Sequence, residues 1–206
     1  MRTLPAGLFL CMLSGAVVID RIAVVVDRHV IKASDVDRDL RVTEFLNREP
    51  VTMNGAVRKA AAERLIDQEI IRSDIASGGY GRASEKDADA LLSSVRKERF
   101  GDSEARLRQA LAAYGLTEYA LRAQMTWQLT VLKFIDERFR AGVLVSEEDV
   151  RGYYDRHRAN FSDSFENAGA GIRKNLEGEQ VNRQFETWLS AARKLAVVQY
   201  REAAFQ

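Results

Sequence analysis

The sequence predicts a mainly helical α+β fold in which a small sheet joins the two ends of the chain. Three observations predict it. The 206 residues include only 2 prolines and 13 glycines, too little turn-forming material for an all-β fold. From about residue 34 to residue 194 the chain is a succession of helix caps and glycine stops. Short β-branched runs stand on either side of that stretch, VVIDRIAVVVD from Val17 and LAVVQY from Leu195, and both read as strands.

Each element has its own local reason. After the Val17 to Asp27 strand, Asp27-Arg28-His29 supplies a turn and Val30-Ile31-Lys32 a return strand, a small hairpin. Ser34 followed by Asp37 has the form of a capping box and opens a helix through about Asn47. Pro50 interrupts. Asn54 caps a second helix reaching about Ala76, with Val57, Ala61 and Leu65 on one stripe and Ile66 and Ile70 widening it; Gly78-Gly79-Tyr80-Gly81 ends it. Ser84 with Asp87 caps a third helix, closed by Gly101. Asp102 or Ser103 caps a fourth, closed by Gly115. Thr117 caps a long fifth helix to about Arg140, and Ser146 a sixth that holds EEDVRGYYDRHRANF. Asn167 to Gly171 is either a linker or the frayed start of a last helix through Lys194. Pairing the terminal strand with the first one would bury both against the helices.

The fifth helix carries two apolar stripes. Leu121, Met125, Leu132, Ile135 and Phe139 lie along one face, and Tyr119, Trp127, Val131 and Phe134 form a second. A helix apolar on two faces is either central in the core or offers one face to a partner. Trp188 in the last helix is expected to anchor the core.

Composition narrows the chemistry. Lys and Arg number 31 against 30 Asp and Glu, for a formal charge of +1; so even a balance argues against nucleic acid or anionic lipid as the main partner. A single cysteine rules out an intramolecular disulfide, and with 2 histidines it leaves no Cys/His zinc site to expect. Asp35-Val36-Asp37-Arg38-Asp39 starts like a calcium loop, but Leu40 stands where the loop glycine belongs and Leu46 where the closing acid belongs. The Gly78 to Gly81 cluster follows a helix and lacks the Gly-Lys-Ser/Thr ending of a phosphate loop. His29 falls in a predicted turn, His157 in a charged helix end, and no nucleophile elbow accompanies them. Glu147-Glu148-Asp149 suits the positive end of a helix dipole. No catalytic residue, metal or cofactor is predicted.

The first residues read as an export signal. Arg2 precedes the apolar run TLPAGLFLCML, and Ser14-Gly15-Ala16 provides small residues for cleavage after Ala16. The run is too short to span a bilayer as a helix. This reading makes residues 1–16 a signal peptide and residues 17–206 one domain of zero net charge without cysteine.

The order of these segments resembles the SurA/PrsA-type chaperone family, in particular the SurA N-terminal domain. VVIDRIAVVVDRHVIKASDVDRDL is similar to the family's opening strand, turn, strand and helix start. Leu65 to Ile71, LIDQEII, resembles a second family helix, Tyr114 to Asp136 its Gly-Leu-Thr helix, and Ser146 to Phe161 the stretch that leads into a parvulin isomerase domain. Trp188 to Tyr200 resembles the closing helix and strand. Only Ser162 to Gly171 lies where an isomerase domain would be inserted, and the parvulin catalytic set has no counterpart. The resemblance therefore implies a chaperone core, residues 17–161 with a C-terminal helix and strand, 172–206, packed back on it. It implies a periplasmic, ATP-independent holdase for unfolded or extended envelope and outer-membrane polypeptides, with no isomerase activity, no cofactor, no nucleic-acid partner and no stable membrane insertion. Tyr119, Trp127, Val131 and Phe134 are the expected client-binding residues. The alternative is a docking subunit for one fixed envelope partner.

Overall fold

The computed structural model describes residues 20–201 and 205; the expected signal peptide and its cleavage point lie outside them. Seven α-helices and three strands follow in the order β1 (Ile22–Val26), β2 (His29–Lys32), α1 (Ala33–Asn47), α2 (Gly55–Gly78), α3 (Glu85–Phe100), α4 (Glu104–Ala113), α5 (Glu118–Phe139), α6 (Glu147–Arg156), α7 (Phe165–Leu195) and β3 (Val198–Tyr200). Short 3-10 turns follow α5 and α6.

The two ends meet in one antiparallel sheet of order β2-β1-β3. Val198, Gln199 and Tyr200 pair with Val26, Val25 and Val24, as the two apolar ends predict. Asp27 fixes that junction. Its backbone sits in the left-handed region, φ 51°, which Asp tolerates. Its N–H donates to Val197 O at 2.8 Å, and its Oδ1 accepts from Val197 N at 2.9 Å. Two features differ from expectation: Asp20 and Arg21 precede the first strand, which begins at Ile22, and the turn is shorter, so His29 belongs to β2.

Most helix starts follow the local signals. Asn54, Ser84, Ser103, Thr117 and Ser146 each accept a hydrogen bond from a backbone N–H of the first turn, satisfying donors that have no intrahelical partner. Ser34 is the exception. The helix runs straight out of β2 with Lys32 as its N-cap, and Asp35 accepts from Lys32 N at 3.1 Å. Ser34 lies inside the first turn, where its N–H and hydroxyl both donate to Asp20. Those bonds hold the exposed Asp20 carboxyl below the usual carboxylate range, as expected for a carboxylate at a helix N-terminus.

Four apolar clusters run through the molecule. The first packs the inner face of the sheet, Val24, Val26 and Ile31, against Val36 and Leu40 of α1 and Ala61, Ala62 and Ile66 of α2. The second joins α1, α3, α4 and the start of α5. The third joins α2, the end of α5 and the second half of α7 through Phe134, Phe139, Phe185 and Trp188. The fourth seats α6 on the first half of α7. α7 is one helix of 31 residues, about 46 Å long, so Asn167 to Gly171 is neither linker nor frayed end. Burying Ile172 against Val150 and Tyr154 outweighs the poor helix propensity of Gly169 and Gly171. α7 is also clamped to α2: Arg193 pairs with both Glu63 and Asp67, and Tyr200 donates its hydroxyl to Glu63 at 2.6 Å. Trp188 anchors the third cluster, with its ring 5.4 Å from Phe134 and 5.8 Å from Phe139.

Candidate functional site

An open groove of about 590 Å³ runs between β2, α1, α2 and the first half of α5. Thr117 starts its α5 wall by capping that helix, with Ala120 N donating to Thr117 Oγ1 at 3.2 Å. Tyr119, Ala123 and Trp127 continue the wall, and β2 contributes Val30 and Ile31. Tyr119 stands out into solvent, 78% exposed. Trp127 is half-buried, with the Arg72 guanidinium 4.5 Å from its ring centroid, a cation–π distance.

The floor is polar and internally paired. Arg72 Nη1 lies 2.6 Å from Glu69 Oε2. Arg38 pairs with Asp35 at 3.1 Å. Asp39 is buried and accepts from Arg64 Nη2 at 2.7 Å and from Gln68 at 3.3 Å. Burial pushes the Asp39 carboxyl up, and Arg64 and Gln68 offset part of that rise. His29 Nδ1 faces Glu69 at 3.5 Å. No serine, cysteine or threonine nucleophile accompanies this pair at the groove except the capping Thr117, whose hydroxyl is engaged. His157 belongs to the other end of the chain, stacked on Tyr153 with its Nδ1 2.9 Å from the Tyr153 carbonyl. Among the described residues no group of three or more His, Cys, Asp or Glu is placed to hold a metal ion. The arrangement suits binding: two aromatic side chains on one wall, a short strand edge, and amide and paired charged groups between.

The four residues expected to act together are divided. Tyr119 and Trp127 line the groove. Val131 is half-buried against the third cluster, which Trp127 also touches. Phe134 is wholly enclosed, 0% exposed, with Tyr80, Phe139 and Trp188 around its ring. Phe134 therefore leaves the candidate surface, and the first stripe loses Leu132, which is 63% exposed. The cause is a difference in how much of α5 is covered along its length. Leu121 and Met125 pack into the second cluster, Phe134 and Phe139 into the third. Nine residues at about 100° each turn the helix by about 180° between Met125 and Phe134. Phe139, five residues further on, returns to the side of Leu121, so the buried arc of α5 widens towards its C-terminal end, where both sides are covered.

Sequence reading missed Arg72, Glu69 and Gln124 in the groove. Arg72 is exposed and Gln124 half-buried, ordinary places for charged and amide residues, while the Glu69 side chain is mostly covered. Only the juxtaposition of α2 and α5 gives them a shared surface. Among the described residues no helix is long and apolar enough to cross a membrane. No family model matches the chain, and no curated protein matches it.

Proposed function

We propose that the protein is an ATP-independent holding chaperone for unfolded or extended envelope and outer-membrane polypeptides, exported by its N-terminal segment and without prolyl isomerase activity. The observation that carries this reading is the groove, open along its length, with Tyr119 exposed and Trp127 beside it. Aromatic side chains supply most of the energy in such contacts. An open groove admits an extended chain and retains it weakly, so release needs no nucleotide. The resemblance to the SurA N-terminal domain gives the compartment and the class of client.

The test is light scattering during dilution of a urea-unfolded outer-membrane protein. The wild-type chain should suppress aggregation at stoichiometric ratios, with little change between low and moderate salt because the charge is nearly balanced. Tyr119→Ala should weaken suppression while the urea midpoint stays near wild type; Trp127→Ala should weaken it further and lower the midpoint, because its ring also packs against the third cluster. A wild-type protein that suppresses nothing but binds one native envelope protein tightly is a docking subunit, and the holding reading then falls.

A further inference from the structure

The groove has a strand edge at one side, and that edge is unpaired by any strand among the described residues, since the sheet order places β2 outermost. The register pairs Val26 with His29, Val25 with Val30 and Val24 with Ile31. In a hairpin closed by two residues, the pair flanking the turn is hydrogen-bonded and the next one is not. The N–H and C=O of Val30 therefore point away from β1. Val30 and Ile31 lie on opposite faces of the sheet; Ile31 is buried and Val30 is exposed, yet both line the groove. That combination places the free edge of β2 at the groove. Beyond Val30 the edge is closed, because Lys32 N already donates to Asp35.

The groove also states what charge it accepts. Each charged side chain lining it has a partner within the protein: Asp35 with Arg38, Asp39 with Arg64, Glu69 with Arg72. An ionised ligand group would lose hydration and find no unpaired counter-charge. A neutral segment suffers no such loss.

We propose that the groove takes an uncharged, extended polypeptide segment as an added strand on β2, bonded through the Val30 N–H and C=O, with one large apolar side chain against Tyr119 and Trp127. The proposal rests on the holding reading and names its client class: segments that alternate uncharged polar with apolar residues. One backbone donor and acceptor make a weak, quickly reversed pairing.

The probe is a short capped peptide alternating Thr with Val and Tyr, titrated into the full isotope-labelled chain. The Val30 amide should shift and exchange more slowly with solvent. N-methylation of the peptide nitrogens on one strand edge should weaken binding about tenfold, and on the other edge hardly at all. Replacing the Thr residues by Glu or by Lys should weaken it comparably. Equal binding by both N-methylated peptides, an unmoved Val30 amide, or no binding by the parent peptide overturns strand addition. Val30 protection already present in the free protein also overturns it, since a second copy or the chain itself then holds the edge. If aggregation suppression survives any of these results, only the strand-addition proposal is lost; if suppression fails as well, the holding reading goes with it.

Discussion

Replacing Phe134 by alanine separates a core role from a client-binding role. The side chain is fully enclosed. It meets Tyr80 at 5.0 Å, Trp188 at 5.4 Å and Phe139 at 5.9 Å, all edge-to-face, and the Arg138 guanidinium lies 5.7 Å from its ring centroid. Removing a buried phenylalanine costs about 3–5 kcal/mol, a large share of a typical ~5–15 kcal/mol stability. For a domain of this size each kcal/mol lowers Tm by about 2–4 °C, so Phe134→Ala should melt roughly 6–20 °C below wild type. Tyr119→Ala removes a side chain mostly in water and should stay within about 0.5 kcal/mol of wild type. Thermal and urea denaturation followed by circular dichroism measure both. The reasoning is refuted if Phe134→Ala melts within about 2 °C of wild type yet no longer suppresses aggregation. That result would return Phe134 to the client surface and take it out of the core.

Two further outcomes are expected. Deleting residues 196–206 removes β3 from β1 and takes Val198 and Phe205 off the first cluster, so stability should fall by at least about 3 kcal/mol; an unchanged urea midpoint would mean the C-terminal strand folds on nothing. Asp39 has a folded-state pKa raised above 3.8 by burial, so the folded state binds its proton more readily than the unfolded state. Its contribution to stability is therefore greatest below 3.8 and is lost as pH rises through the raised value; urea midpoints of wild type relative to Asp39→Asn should climb as pH falls from neutral towards 3.8, and a relative fall over that window would reverse the sign.

Local signals made much of the fold legible. A Ser, Thr or Asn followed by a free backbone N–H needs only its own first turn to act, and Asn54, Ser84, Ser103, Thr117 and Ser146 all behave that way. Ser34 misled because its partner, Asp20, is fourteen residues away in sequence, and β2 feeds α1 without a loop. The glycines of α7 misled because helix propensity is a small term, about 1 kcal/mol per glycine, against the burial of Ile172 under α6. The meeting of the terminal strands was legible for a different reason. Two short apolar runs outside the helices have few other places to be buried. At the candidate site, Tyr119 and Trp127 follow from the second apolar stripe of α5. Their division from Phe134 does not, because periodicity records which residues are apolar and not which neighbour covers them.

The uneven cover along α5 also explains why the groove lies where it does. Met125 is the last residue of α5 buried in the second cluster, and Phe134 is the first large one buried in the third. Between them Thr130 is buried on the turning side, donating to Thr126 O at 2.7 Å and accepting from Ala83 N at 3.1 Å. Thr126 likewise donates to Arg122 O at 3.0 Å, and such back-bonds tend to bend a helix. Between the two buried positions the clusters cover the apolar side chains only in part: Leu129 packs on the second, Trp127 and Val131 on the third. Trp127 falls in that interval. Its ring packs on one side against the third cluster and carries the Arg72 guanidinium on the other. A fully packed core position such as Phe134 can contact a client only by unfolding. Trp127 is half-buried, and the part of its ring that faces the groove can be met without global opening. The same interruption in packing that leaves α5 partly uncovered thus gives the groove an aromatic wall that a passing chain can reach without destabilising the fold.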